Sequence, residues 1–182
     1  VHRGGAARLT PAPRYRHGVQ YSFTPPTAAE FQALYDETGW GAWDLERFDR
    51  ALAGSWVVCS ARDEADRLVG IGRLISDGAL HAFVTEMIVS EGVRGRGVGG
   101  EVLARLVAEA RRRGVEDVQL FAARGRASFY EQHGFVRRHE DGPGMDLDPV
   151  VSTSATGVQG DGGASGIGGD GGCDGGDLVS RR

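Results

Sequence analysis

The sequence predicts an α/β domain built on one sheet of mixed strand direction. Three observations point there. Short alternating apolar stretches recur between helical ones, the pattern of strands interleaved with helices. A long apolar strand runs into a glycine-rich turn and from there into the clearest amphipathic helix of the chain. The regular patterning is confined to residues 19–148, about 130 residues, which is one domain and not two.

The elements follow in order. Val19–Phe23 alternates and holds Tyr21 and Phe23, as a first strand should, and Pro25-Pro26 ends it. Thr27 with Glu30 three residues on forms a capping box, and Phe31, Leu34 and Tyr35 make the apolar stripe of a helix ending at Gly39. Asp44 caps a second short helix whose Leu45, Phe48 and Leu52 face inward. Trp56–Ala61 is a strand, Asp63–Arg67 a polar turn, Leu68–Ser76 the next strand, Asp77-Gly78 a turn, and His81–Ser90 a longer strand. In Gly99–Arg113 the residues Val102, Leu103, Leu106, Val107 and Ala110 keep the helical period, and Arg111–Arg113 suit the negative end of the helix. Val118–Phe121 is a strand, Ala127–His133 a short helix closed by Gly134, and Phe135–Arg138 and Met145–Leu147 are two short final strands. The order is β-α-α-β-β-β-α-β-α-β-β.

Composition bounds the rest. The 182 residues are 40% hydrophobic and 25% charged, as in a soluble globular protein. Of the 30 glycines, eleven fall in the last 32 residues, so 149–182 reads as a disordered Gly/Asp-rich tail. Residues 1–18 carry four arginines and no acid and have little to bury, which reads as a disordered basic arm without the apolar core of a secretory signal. All 21 basic residues are arginine, which we read as coding bias. Net charge is −4 overall but −6 over 19–148, against a nucleic-acid binder and mildly favourable to a cationic partner such as an amine. Cys59 lies in an apolar run and Cys173 in the glycine tail, so neither a disulfide framework nor a zinc site is indicated, and no metal is expected. No apolar run is long enough for a transmembrane helix, so no membrane association is expected and the default location is cytoplasmic.

The chemistry concentrates in Met87–Gly100, where a strand feeds a glycine-rich turn and the turn a helix start. Unpartnered N–H groups and the positive end of the helix dipole gather there, glycine lets the backbone approach an oxygen-rich ligand, and Arg94 and Arg96 add charged donors. This is a pyrophosphate cradle in principle. A P-loop is excluded, since it needs lysine and the chain has none; a Rossmann fingerprint fits poorly, since the glycines stand at 95, 97, 99 and 100 after several strands. A connector that binds nothing is the plain alternative.

Arg94, Gly97 and Gly99 satisfy [QR]-x-x-G-x-[GA], and this resembles the acetyl-CoA-binding motif of the GNAT N-acetyltransferase superfamily. Phe129-Tyr130-Glu131-Gln132-His133-Gly134-Phe135 resembles its FYxxxGF element, about thirty residues downstream as in that family. Gly70–Gly78 and Gly142–Met145 resemble segments of its small bacterial members. Glu91 stands where the family often has Pro, and Arg96 where it often has Lys.

The resemblance implies a mostly antiparallel sheet flanked by about four helices and splayed into a V between the strand ending at Ser90 and Val118–Phe121. Acetyl-CoA would be the co-substrate, its pantetheine amides on backbone groups of Met87 and Val89, its acetyl carbonyl near the N–H of Ile88 or Val89, and its pyrophosphate on Gly95, Arg96, Gly97, Val98 and Gly99 beside Arg94. The implied reaction is acetyl transfer to a small-molecule primary amine by direct attack, in a monomer or homodimer. Tyr130 matches the family's general acid; it could instead be a packing aromatic. Glu86, a carboxylate in an apolar strand, is the candidate base; facing solvent or pairing with an arginine is the even alternative. His81, placed near the mouth, and His133 are weaker bases, the latter more simply a helix-end residue. Trp40 and Trp43 could hold an amine or anchor their loop, and Asp77 could pair with an ammonium or simply build its turn. Two other functions stay open: a non-catalytic acyl-CoA-binding regulatory domain, and an acetyltransferase whose acceptor is a protein or an aminoacyl-tRNA.

Overall fold

A computed structural model describes residues 18–145. They fall into two units, one ending at Arg137 and one beginning at Arg138; in the second, the described residues 138–145 form only turns and irregular chain. Every helix and strand lies in the first: β1 (Gln20–Ser22), α1 (Ala28–Asp36), α2 (Leu45–Ala53), β2 (Val57–Arg62), β3 (Leu68–Ser76), β4 (His81–Val89), a 3-10 turn (Glu91–Val93), α3 (Val98–Arg112), β5 (Asp117–Leu120) and α4 (Ala127–Gln132). The sheet runs β1-β2-β3-β4-β5, antiparallel throughout except for the parallel pair β4–β5.

Local chemistry starts the first two helices where the spacing predicts. Thr27 Oγ1 accepts from the Glu30 N–H at 3.2 Å, and Glu30 Oε2 accepts from the Thr27 N–H at 2.8 Å. Asp44 accepts from the Arg47 N–H at 2.8 Å. Glu30 also accepts from both Nη atoms of Arg62, at 2.6 and 3.1 Å, which ties the start of α1 to β2 and holds the carboxyl down at about 2 from an ordinary 4.5.

Each face of the sheet has its own apolar layer. α3 lays Val98, Val102, Leu103, Leu106 and Ala110 against Val57, Cys59, Leu74, Ala82 and Val84. Helices α1 and α2 lay Phe31, Leu34 and Phe48 against Val58, Ile71 and Ile88 on the other face. Each such side chain contributes about 1.5–3 kcal/mol on burial. The tightest packing around a glycine of the sheet is at Gly72 of β3, where a Cβ would stand 2.5 Å from Met87 Sδ and 2.8 Å from Leu106 and Val102 side-chain carbons. Only hydrogen fits there.

Three expectations need correction. Leu45 is exposed, because the first residue of α2 lies beside its cap and not over the sheet; Phe48 is buried and Leu52 packs partly against the same cluster. Phe135–Arg138 forms no strand: Val136 is 89% exposed and Arg137 turns back to pair with Glu131 of α4, so only Phe135 has anything to pack on. Met145 is exposed and irregular, and the remainder of that expected strand lies outside the described residues. The expected arm (Gly18 apart) and tail also lie outside them.

Gly72→Ala should cost about 1–3 kcal/mol, the range for overpacking a filled core, read as a lower urea midpoint at unchanged slope; an unchanged midpoint would contradict the packing described. Glu30 has a folded pKa below its unfolded one, so its stabilisation is present above about pH 4.5 and is lost as pH falls toward about 2. Glu30→Gln should therefore flatten that part of the acid unfolding curve, and an unaltered curve would remove Glu30 from the account.

Candidate active site

The parallel pairing of β4 and β5 is short. It joins His81 to Asp117, Ala82 to Val118, Phe83 to Gln119 and Val84 to Leu120, and then stops, while β4 continues to Val89. On its other side β4 stays paired with β3 as far as Gly70↔Val89. The Ser90 N–H donates to Val69 of β3 at 2.9 Å, and successive residues of a strand point their polar groups to opposite edges. The Val89 N–H and C=O therefore face the edge that β5 has left, whereas those of Ile88 face β3. The Val89 carbonyl accepts from Arg94 Nε at 2.9 Å across that edge.

The chain then turns directly into α3. Gly95 and Gly97 take φ of +77° and +80°, a region an L-residue enters at a cost of about 1–2 kcal/mol. Chain neighbours apart, no atom of the described residues lies within 4 Å of where a Cβ on either would stand, so both border open space. Gly97 is the N-cap of α3 and supplies no side-chain acceptor, which leaves the first N–H groups of the helix without one. The Arg94 Nη groups are unpaired among the described residues. Arg96 is exposed and Val98 buried beneath the turn. A backbone cradle with an unsatisfied positive end and a free guanidinium fits a polyanion such as pyrophosphate.

Glu86 sits at an irregularity in β4. Arg73 pairs with Thr85 and Ile71 with Ile88, so β4 carries one more residue than β3 across this stretch, a β-bulge. Glu86 is the extra residue in conformation, at φ +43°. The bulge turns its carboxylate onto the α1/α2 face, where Oε2 accepts from Arg73 Nε and Nη2 at 2.9 and 2.6 Å. Arg73 is 7% exposed against 24% for Glu86, and its Nη1 donates to the Ala51 carbonyl and to Ser55 Oγ. Glu86 Oε1 has no partner among the described residues. Glu86 is thus paired with an arginine, one of the two sequence alternatives, and still offers one oxygen.

Tyr130 lies on the opposite face. It is half-buried with Met87, Val89 and Phe129 against the α3 layer, its ring 5.0 Å from that of Phe129 and 6.0 Å from that of Phe135. Burial pushes its hydroxyl up from an ordinary 10, with Arg126 acting weakly in the other direction. The α4 segment is wedged against the helix start: a Cβ on Gly99 would stand 3.4 Å from Val89 and 3.5 Å from Phe129, and one on Gly100 2.5 Å from His133 Nε2. Val89, Arg94, Gly99 and the helix carrying Tyr130 are therefore brought together, with Glu86 reached around the open edge of β4.

The remaining candidates separate from this cluster. His81 is paired with Asp117 at 2.7 Å at the far end of β4, about 26 Å of strand from Val89, and so is not at the mouth. His133 bonds the Phe129 carbonyl through Nδ1, as a helix-end residue does. Asp77 accepts from the N–H groups of Ala79, Leu80 and His81, which builds the turn and lowers its pKa. Trp40 and Trp43 are both largely exposed; Trp43 donates to Tyr35 and carries Arg47 over its ring at 4.0 Å. Sequence reasoning missed Arg73 and Ser55, which hold Glu86, and Glu37, which accepts from Ser90 Oγ and the Glu91 N–H and so pins the end of α1 to the end of β4. The available signal for Arg73 was a lone charge inside an apolar strand beside a glycine.

Arg73→Leu would leave the Glu86 carboxylate, Ser55 and the Ala51 carbonyl without their donor, and should cost about 3 kcal/mol, whereas Glu86→Gln keeps an acceptor and should cost about 1 kcal/mol. Chemical denaturation of both variants checks the order; equal losses would mean the pair is not what positions Glu86.

Comparison with known proteins agrees with this geometry. A family model described as an acetyltransferase (GNAT) domain matches residues 54–137. The chain is 30% identical over 126 residues to histone acetyltransferase TAP1 of Glycine max, covering 64% of this chain and 54% of that protein. It is 32% identical over 121 residues to the chloroplastic serotonin N-acetyltransferase 2 of Oryza sativa subsp. japonica, covering 65% and 60%. It thus spans little more than half the length of these curated relatives. A GNAT-family acetyltransferase of Streptococcus pneumoniae TIGR4 superposes with a TM-score of 0.55 at 25% identity over 65% of this chain and 86% of that one. The glucosamine-6-phosphate N-acetyltransferase of Arabidopsis thaliana shares the fold, with a TM-score of 0.56 at 17% identity over 71% and 97%. Residues 54–137 match the GNAT acetyltransferase domain, and the five-stranded sheet with its open β4 edge and the glycine-rich start of α3 belong to the fold that this domain takes in its solved relatives.

Proposed function

We propose that the protein transfers the acetyl group of acetyl-CoA to a primary amine by direct attack. The observation that carries this reading is that the one strand edge β5 abandons and the glycine cradle of α3 meet at Val89–Gly97. A linear molecule with a pyrophosphate at one end and amides along its length matches both: phosphates on the amides of residues 95–99 and the Nη groups of Arg94, amides along the open edge of β4 at Met87 and Val89.

Acetyl-CoA brings a thioester. The amine nitrogen forms the new C–N bond, the C–S bond breaks, one proton leaves the amine and one is taken up by sulfur. The chain's residues serve these steps separately. The Val89 N–H, directed into the opening, stabilises the oxygen that gains charge, and strand alternation favours it over Ile88. Tyr130, a phenol that is protonated at neutral pH and whose burial raises its pKa further, donates to the departing sulfur from the α3 face. Glu86 approaches from the other face with one carboxylate oxygen free, able to hold the arriving ammonium or take its proton. An alkylamine has a pKa near about 10.4, so a proton acceptor at the mouth matters near neutral pH. A histone acetyltransferase, a serotonin N-acetyltransferase and a glucosamine-6-phosphate N-acetyltransferase share this fold or sequence, so the acceptor has to be read from this chain's own surface.

Release of free coenzyme A thiol from acetyl-CoA over a panel of amines tests the proposal. Amine-dependent release is expected, with Tyr130→Phe lowering kcat about 100-fold while the KM for acetyl-CoA stays within about threefold. A protein that binds acetyl-CoA but releases thiol with no amine would instead be a non-catalytic acyl-CoA-binding domain.

A further inference from the structure

We propose that Glu37 is a positioning residue for the acetyl-CoA cradle, and that through it acetyl-CoA binding steadies the Trp40–Trp43 connection between α1 and α2. This rests on acetyl-CoA being the ligand of the cradle and not on the transfer step.

The turn that feeds the cradle is capped from a distance. Glu91–Val93 is a 3-10 turn whose N-cap, Ser90, makes no side-chain cap of its own. The Ser90 hydroxyl donates instead to Glu37 Oε1 at 3.1 Å, and the Glu91 N–H, the first of the turn, donates to Glu37 Oε2 at 3.1 Å. One carboxylate, 53 residues before Ser90 in the chain, thus serves where a cap residue would serve locally. What it holds leads straight into the site. The Val93 and Arg94 N–H groups close the turn on the Ser90 and Glu91 carbonyls, Arg94 Nε then bonds the Val89 carbonyl, and Gly95 and Gly97 follow. A displaced turn would carry Arg94 and the cradle amides with it.

Glu37 also stands where α1 gives way to the connection, as its C-cap. The other hydrogen bonds of residues 37–43 stay local. The Thr38 and Gly39 N–H groups donate to the Tyr35 and Asp36 carbonyls, the Trp40 N–H to Thr38 Oγ1, and Trp43 is held by Gln32 and Tyr35. Among the described residues, Glu37 is therefore the hydrogen-bonded tie between this connection and the end of β4. Trp40 and Trp43 belong to the same segment and are 47% and 43% exposed. Helices α1 and α2 lie on the face where Glu86 meets Arg73, which also bonds Ala51 of α2. The tie thus joins the cradle to the face from which Glu86 approaches. Two sites that share one bonded element bias each other equally.

Charge argues against an incidental contact. Glu37 is an anion beside a site for pyrophosphate, and like charge weakens such binding. Its presence there costs affinity unless its bonds shape the site. The two accounts differ in sign: removing the charge alone would tighten acetyl-CoA, whereas losing the cap loosens it.

The test measures the acetyl-CoA dissociation constant by calorimetry, and amide exchange of residues 38–43 with and without acetyl-CoA. It compares the full chain with Glu37→Ala, Glu37→Gln, Ser90→Ala and the double variant Glu37→Ala/Ser90→Ala. Neither side chain belongs to the core, and circular dichroism checks the fold of each variant. Glu37→Ala should raise the dissociation constant about 10-fold. It should also abolish the slowing of exchange that acetyl-CoA produces at Thr38–Trp40 in the unaltered chain. Glutamine keeps the shape and can accept from the Glu91 N–H while donating to Ser90 Oγ, so Glu37→Gln should stay within about twofold. Ser90→Ala should raise the constant about threefold alone and add nothing in the Glu37→Ala background. Tighter binding by Glu37→Ala, equal constants for its Ala and Gln variants, additive losses in the double variant, or exchange at 38–43 indifferent to acetyl-CoA would overturn the proposal. A full chain that binds acetyl-CoA and meets these expectations, yet releases no thiol with any amine, would leave it standing and retire the transfer reading. Failure of the full chain to bind acetyl-CoA would overturn both.

Discussion

The early end of β4–β5 pairing governs this molecule. A parallel pair that closed along its whole length would satisfy every backbone group of β4 and leave no site. Because β5 departs after Leu120, Val89 turns its N–H and C=O toward an edge with no strand on it, where the carbonyl is met only by Arg94 Nε. Unpaired backbone groups cost free energy unless water or a ligand satisfies them, and an open edge is a template for any extended chain of amides. The neighbouring α3 adds a second unsatisfied set of N–H groups at its start. The two sets are adjacent in space because they are adjacent in sequence, one turn of glycine apart. A ligand with anionic and amide parts answers both.

The β-bulge decides what else reaches that opening. In regular alternation Glu86 would follow Thr85 to the α3 face and enter an apolar layer. The extra residue, held at φ +43°, sends it to Arg73 instead and lets Met87 fill the space over Gly72. A conformation that costs about 1–3 kcal/mol persists only when its surroundings over-determine it. Here they do so through four bonds to a buried guanidinium and a glycine that admits no Cβ. Tyr130 and the Glu86 carboxylate then approach one edge from opposite faces of the sheet, which in the proposed reaction would separate the two proton transfers in space.

What was legible in the sequence was local. The capping residues Thr27 and Asp44 sit in the spacings that their hydrogen bonds require, and Leu68–Ser76 carries the nearly continuous apolar run of a strand packed on both faces. The cradle was legible because glycines at 95 and 97 meet a backbone requirement that few other residues satisfy. What was hidden depends on partners distant in sequence. His81 begins the strand that ends at the opening, and only the direction of β5 tells which end is open. Leu45 looked inward because helical period says nothing of where the sheet stops. Phe135–Arg138 resembled a strand by composition, yet a strand exists only where a partner takes its hydrogen bonds. Arg73 was missed because its role belongs to a bulge on the neighbouring strand.

The central claim is that the open edge of β4 and the start of α3 form one binding surface for acetyl-CoA. Amide chemical-shift mapping of ¹⁵N-labelled full-length protein during titration with acetyl-CoA tests this most directly. The account predicts saturable shifts at Val89 and Gly95–Gly100, extending to the α4 residues packed on them, with little change at His81 and Asp117. Shifts absent from residues 89–100, or centred elsewhere on the domain, would contradict it.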